Sequence, residues 1–143
     1  MDQLWAPWRM AYIEGPKAPV DQGCVFCHAY EAAVPASEQV LVRDDTCLAM
    51  LNRYPYTNGH LLILPRRHVP TLLDLAPAEA GRLHELLRAC MATLQHTLGC
   101  HGMNVGLNLG QVAGAGILDH AHWHIVPRWT GDNNFMPVVA EVR

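Results

Sequence analysis

Histidine occupies every second position of the segment HAHWH, at His120, His122 and His124. In an extended strand alternate side chains share one face, so this spacing predicts a strand over 120–127 with three imidazoles in a row and apolar residues on the other face. The imidazoles are expected roughly 6.5–7 Å apart. Such a row can supply a nucleophile, a general base, a metal ligand or an anion partner. The alternatives to a catalytic role for this row are a histidine-rich polar face on an edge strand and a simple metal site.

The remaining pattern predicts short strands around one long helix. An apolar stripe at helical spacing runs through 77–98, with Pro77 and Glu79 at its start and Gly99 after its end. Short apolar runs predict the other strands at 40–43, 46–51, 60–65 and 103–109. We therefore expect an α+β fold with an antiparallel sheet, in one domain that follows an N-terminal arm over residues 1–22.

Charge and cysteine content exclude several functions. The formal net charge of −3 over 143 residues provides no basic field for nucleic acid. No run is long enough to span a membrane, and the first residues do not resemble a signal peptide. The five cysteines have no spacing typical of a disulfide framework. We expect a cytoplasmic protein.

A Cys-x-x-Cys pair at Cys24 and Cys27 is the second chemical motif. Two thiolates can bind zinc, which then needs two further ligands; His68 and His120 are the natural candidates, and His28 competes with them. A redox pair and plain buried thiols are the other interpretations, although no βαβ pattern surrounds the motif.

The segment HAHWHIVPR resembles the histidine-triad (HIT) family, whose pattern of alternating histidine and apolar residues it follows from His120 to Val126. The segments MLNRYPY and NGHLLILPRRH are also similar to that family, so the resemblance covers the chain from about Cys24 to Arg128. LWAPWRMAYI and WTGDNNFMPV resemble a bacterial branch that includes diadenosine tetraphosphate phosphorylase-like proteins. The resemblance implies an antiparallel sheet of about five strands, one long helix and a shorter one, in a single HIT domain over 23–143.

The function that this resemblance implies is a nucleotidyl hydrolase or transferase acting on adenine nucleotides or dinucleoside polyphosphates. His122 is then the nucleophile that attacks the α-phosphorus and forms a nucleotidyl-histidine intermediate. His124 donates to a phosphoryl oxygen, and His60 lines the phosphate site. A neutral imidazole approaches an anionic phosphate without charge repulsion, which agrees with these roles.

Nucleotide-binding positions follow from the same resemblance. Asn52 falls where the family holds the ribose, Phe26 near the base, and Asn108 near the phosphates. The run AGAGILD before the triad departs from the family's AGQ-S/T-type run, because it contains no Gln, Ser or Thr. The backbone N–H groups of Gly114 to Gly116 are expected to replace those side-chain contacts.

Zinc-binding relatives, including the galactose-phosphate uridylyltransferases, imply a structural zinc at Cys24, Cys27, His68 and His120. The resemblance also implies a homodimer. Two competing hypotheses are a nucleotide-binding or sensing module with little catalytic activity, and a zinc protein whose histidines are all ligands.

Overall fold

The computed structural model describes residues 14–15, 23–34 and 39–132. The predicted N-terminal arm lies outside these residues apart from 14–15, as does the chain from residue 133 onward. Within the described part, five strands form one antiparallel sheet in the order β1-β2-β3-β5-β4. The strands are β1 (Val40–Arg43), β2 (Cys47–Leu51), β3 (Leu61–Pro65), β4 (Gly102–Leu107) and β5 (Trp123–Arg128).

Between residues 23 and 132, where the structure describes the chain, two helices complete this α+β fold, α1 (Val25–Glu31) and α2 (Pro77–Leu98), with short 3-10 turns at Leu72–Asp74 and Gln111–Ala113. The predicted class, the strand number and the pair of one long and one short helix are confirmed. Helix α2 has the predicted bounds because both ends carry local signals. Glu79 accepts a hydrogen bond from the backbone N–H of Ala76 at 2.8 Å, and Gly99 takes the left-handed conformation, with φ 59°, that ends the helix. No helix within the described residues is long and apolar enough to cross a membrane.

The sheet separates two apolar clusters, one on each face. The face toward α2 is formed by alternate strand residues packed on the helical stripe, including Ala49, Ile63 and Ile125. The other face carries Leu48, Leu62 and Leu64, against which α1 packs Phe26 and Ala29. Strand β3 is apolar at every position because it is buried on both faces.

Strand β5 is shorter than predicted and begins at Trp123. Its pairing with β3 ends at Ile63 opposite Trp123, so His120 and His122 precede the regular strand. The cause is Pro65, which has no N–H to continue the ladder and whose carbonyl accepts from the ring of His120 instead. The backbone N–H of Ala121 correspondingly donates to the carbonyl of Val69.

The turn between β1 and β2 connects the sheet to both helices through Asp44. Its Oδ1 accepts from the backbone N–H groups of Thr46 and Cys47 at 2.8 and 2.9 Å, and its Oδ2 accepts from Nε of Arg82 on α2 at 2.9 Å. The hydroxyl of Tyr30 on α1 donates to the carbonyl of Asp44. Burial raises the pKa of the Asp44 carboxyl, but these donors outweigh it and hold the pKa below its ordinary value.

Candidate histidine and metal site

His122 is buried and oriented by the backbone two residues before it. Its Nδ1 lies 2.8 Å from the carbonyl oxygen of His120, which accepts only, so Nδ1 carries the hydrogen. Neutral His122 therefore has its lone pair on Nε2. Burial lowers the pKa of His122, and donation to the carbonyl partly opposes this shift. The geometry selects the tautomer that a nucleophilic Nε2 requires.

His124 is oriented by a chain of hydrogen bonds that begins in the segment before β3. The backbone N–H of Tyr56 donates to Nδ1 of His60 at 3.1 Å, which leaves the hydrogen of a neutral His60 on Nε2. Nε2 of His60 then donates to Nδ1 of His124 at 2.9 Å. A neutral His124 consequently carries its own hydrogen on Nε2, as a donor to a phosphoryl oxygen requires.

Two further side chains hold His60, which is 1% exposed. The ring of Tyr56 stacks on it with centroids 5.1 Å apart and planes inclined by 14°. Asn52 accepts from the backbone N–H of Tyr54 at 2.9 Å, and its Nδ2 lies 3.4 Å from both ring nitrogens of His60. Asn52 thus contacts the histidine site, and its ribose-binding role stays a prediction.

The histidine rings form a continuous row. Ring centroids of His122 and His124 are 5.1 Å apart, closer than predicted, and the same separation joins His124 to His60. Phe26 lies at the other end, 4.9 Å from His122 and 5.5 Å from His120. Because Phe26 is 4% exposed, little of its ring is accessible to a base, and its base-packing role stays a prediction.

The glycine loop differs in part from its predicted role. The N–H groups of Gly114 and Ala115 donate to the carbonyls of Gln111 and Gly110 within the loop, at 3.0 and 3.2 Å. Both groups are therefore engaged, and of the predicted phosphate donors Gly116 is the one that this turn does not use. Asn108 stands beside the loop, with its Nδ2 3.5 Å from the carbonyl of Gly114.

Open space beside His124 comes from a glycine on β4. His124 on β5 is paired with Gly106 on β4 and with Leu62 on β3, so the three residues share one face of the sheet. A Cβ built on Gly106 would meet no atom within 4 Å. Gly106 thus leaves room next to His124, a feature that the sequence pattern alone did not indicate.

Four side chains predicted as metal ligands are brought together from three parts of the chain. Ligand atoms of Cys24, Cys27, His68 and His120 all lie within 4.8 Å of one another. Nδ1 of His120 is 3.4 and 3.7 Å from the two sulfurs, and Nδ1 of His68 is 3.4 Å from that of Cys27. The competing candidate, His28, is exposed and is not part of this cluster.

The cluster fits zinc by distance and by donor type. Zn–S bonds of about 2.3 Å and Zn–N bonds of about 2.0 Å in a tetrahedron place sulfur and nitrogen about 3.5 Å apart. Nε2 of His120 donates to the carbonyl of Pro65 at 2.8 Å, which leaves Nδ1 as the ligand atom and supplies the outer hydrogen bond typical of such histidines. Burial and the neighbouring Cys24 raise the pKa of Cys27 to about 11, and a bound dication would favour the thiolate instead.

Sequence reasoning missed the groups that orient the imidazoles. The carbonyls of Pro65 and His120 and the N–H of Tyr56 are backbone atoms, so no residue type indicates them. The Tyr56 ring was the one detectable signal, because it lies four residues before His60 in the segment YTNGH.

The protein is thus an α+β protein whose antiparallel sheet carries a Cys₂His₂ cluster beside a row of imidazoles. The HIT domain profile matches residues 35–131. The chain belongs to the HIT family.

Two relatives and one solved structure show what the chain is similar to. The AP-4-A phosphorylase of Mycobacterium tuberculosis is 35% identical over 144 residues, which span 97% of this chain and 74% of that protein. The asymmetrical bis(5'-nucleosyl)-tetraphosphatase of Schizosaccharomyces pombe is 33% identical over 103 residues, or 72% of this chain and 56% of that protein. The Zn-bound histidine triad family protein of Mycobacterium smegmatis is 28% identical, with a TM-score of 0.69 over 80% of this chain and 81% of that one.

Proposed function

We propose that this protein cleaves adenine dinucleotides at the α-phosphate through a covalent nucleotidyl-histidine intermediate, with His122 as the nucleophile. The carrying observation is the 2.8 Å contact from Nδ1 of His122 to the carbonyl of His120, which assigns the lone pair to Nε2. The ring of His124 stands 5.1 Å away, within reach of the same phosphate group. The proposed nucleophile and the proposed donor are thus adjacent at the start of β5.

The first step of the proposed reaction requires no reactant besides the dinucleotide and His122. Nε2 of His122 attacks the α-phosphorus, a P–N bond forms, and the P–O bond to the remaining phosphates breaks. The ring becomes cationic while its Nδ1–H stays on the carbonyl of His120, and that hydrogen bond stabilises the charge. His124 donates from Nε2 to a phosphoryl oxygen. A polyphosphate leaves as an anion, so this step needs no acid in the AGAGILD run.

In the second step water or inorganic phosphate attacks phosphorus and the P–N bond to His122 breaks. With diadenosine tetraphosphate the first step releases ATP, and the second releases AMP after hydrolysis or ADP after phosphorolysis. The named activities of the M. tuberculosis and S. pombe relatives support a dinucleoside polyphosphate substrate for this chain. The nucleotide-binding positions Asn52, Phe26, Asn108 and Gly116 remain part of this proposal.

Zinc at Cys24, Cys27, His68 and His120 would be structural: it would tie α1 to the segment that carries the nucleophile. The Zn-bound M. smegmatis protein supports this assignment. The residues themselves already do part of this work, since the His120 ring is anchored on Pro65 and its carbonyl orients His122.

The assembly and the compartment complete the proposal. The homodimer stays a prediction, and sedimentation velocity would measure the oligomeric state directly. Cys24 and Cys27 form no disulfide, which suits their proposed role as zinc ligands and a reducing compartment, and we place the protein in the cytoplasm on that ground.

The deciding experiment is intact-protein mass spectrometry after brief mixing with diadenosine tetraphosphate, quenched without acid. We expect one added AMP mass on the wild type and none on His122→Ala. His84→Ala, an exposed change on α2, is the matched control and should gain the adduct. Tight adenine nucleotide binding without adduct or turnover would contradict the enzyme hypothesis and favour the nucleotide-binding module. Loss of metal on His122→Ala would favour the all-ligand zinc protein.

A further inference from the structure

An open cleft of about 520 Å³ adjoins the histidine row on the side away from Phe26. Its lining residues are Pro55, Tyr56, Thr57, Asn58, Trp129 and Asp132. Small-molecule pockets have roughly 300–1,000 Å³, so the cleft is large enough for a nucleoside. None of the residue roles proposed above uses it.

Tyr56 connects the cleft with the site. One face of its ring covers His60, and the side chain nevertheless remains 44% exposed and lines the cleft. The ring of Tyr56 is also 6.5 Å from that of His124. A ligand in the cleft would therefore be separated from the phosphate-binding imidazoles by a single aromatic ring.

The walls of the cleft are held in place by hydrogen bonds. Thr57 donates from Oγ1 to the carbonyl of Pro127 at 3.0 Å, which fixes the 55–58 loop on the end of β5. Asp132 also lines the cleft and is bonded to Trp129: its Oδ2 accepts from the N–H of Trp129 at 3.1 Å, and its own N–H donates to the Trp129 carbonyl at 3.0 Å. Tyr56 and Trp129 are thus presented on two braced turns.

The chemistry of the lining selects an uncharged aromatic ligand. Its six described residues include two aromatic rings, the Asn58 amide and one carboxylate, and no lysine or arginine. An anionic phosphate is disfavoured beside Asp132, whereas a nucleobase can stack on an aromatic ring and hydrogen-bond to amide and carboxylate groups.

We infer that this cleft binds the second nucleoside of a dinucleoside polyphosphate, the one that departs with the leaving phosphates, with Trp129 as its stacking platform. The inference rests on the proposed function. The leaving phosphates then run from His122 past His124 and His60, and the departing base reaches the cleft beyond Tyr56.

The test compares two substrates with and without the second nucleoside, diadenosine tetraphosphate and adenosine 5′-tetraphosphate, of which the latter ends in a free terminal phosphate. For Trp129→Ala we expect kcat/KM to fall roughly ten-fold on the first, mainly through KM, and to stay within about two-fold on the second. Trp129→Phe should restore most of the loss because it retains a ring. Leu73→Ala, at a side chain 94% exposed outside the cleft, is the control and should match the wild type on both substrates.

Three outcomes overturn the inference. A wild type that cleaves both substrates with equal kcat/KM has no second-nucleoside site. An equal loss on both substrates in Trp129→Ala means that the cleft holds the reacting nucleoside or that Trp129 is structural, which its unfolding temperature distinguishes. A wild type that forms no adenylate adduct and cleaves neither substrate removes the proposed function, and the inference with it.

Discussion

His60 offers a sharp test of the hydrogen-bond chain, because it contacts His124 rather than the attacking nitrogen. In His60→Leu, Nδ1 of His124 loses the donor that now lies 2.9 Å away. Without this donor His124 can carry its hydrogen on Nδ1, which converts Nε2 from a donor into an acceptor at the proposed phosphoryl contact. His60→Gln keeps an N–H near this position and is the matched partial replacement.

The expected decrease in kcat follows from the hydrogen bond that His124 is proposed to donate to a phosphoryl oxygen. Removing one preorganised donor to a developing oxyanion costs about 10²–10³ in kcat. His60→Leu leaves the His124 ring in place but removes the control of its tautomer, so we expect a decrease in kcat of about 10²-fold. For His60→Gln the expected decrease is about ten-fold, and KM should change little in either variant.

The assay is steady-state cleavage of diadenosine tetraphosphate, with thermal unfolding and zinc content measured on the same samples. Zinc content should not change, because His60 is not part of the Cys₂His₂ cluster. Adding His60→Leu to His124→Ala should have almost no further effect on kcat, since both changes remove one interaction. His60 does not control the tautomer of His124 if His60→Leu keeps kcat within about three-fold of the wild type, or if the effects of the two changes multiply.

Three further predictions concern stability, access and metal. Asp44→Ala should lower the free energy of unfolding at pH 7 by roughly 3 kcal/mol, because two backbone donors and Arg82 lose their carboxylate. Since the folded pKa of Asp44 is depressed, the stabilisation by its carboxylate is present above the ordinary pKa of 3.8 and is lost as pH falls through the folded pKa. The unfolding free energies of variant and wild type, measured by urea titration, should therefore converge in acid and not at alkaline pH. Gly106→Val should fill the space beside His124 and lower kcat/KM for diadenosine tetraphosphate about ten-fold without a lower unfolding temperature, and normal turnover would show that substrate does not enter there. Cys27→Ser should lose most of the bound zinc and unfold at a lower temperature, as chelation of the wild type should also achieve; retention of one zinc per chain, measured by plasma emission spectrometry, would contradict the ligand set.

The sequence was sufficient wherever a structural feature depends on local spacing or on residue type. Helix α2 runs from Pro77 to Leu98 as predicted, because its apolar period and both of its end signals lie within the segment. The alternation of β5 placed His124 and Trp123 on opposite faces of the sheet, and the chain does so. The four cluster residues were also predicted, from their ligand types and from the resemblance to zinc-binding relatives, while only the structure separated His68 and His120 from the competing His28.

Only the tertiary structure decided how each imidazole is used. His120, His122 and His124 have the same side chain, yet a carbonyl from β3 orients the first, a carbonyl of the preceding segment the second, and the Tyr56–His60 chain the third. The start of β5 likewise depends on packing, because Pro65 and Val69 accept hydrogen bonds from the His120 ring and the Ala121 N–H. The physical reason is common to the three rings: every residue has a backbone carbonyl and nearly every residue an N–H, so residue types alone do not indicate which of these groups a given ring will meet.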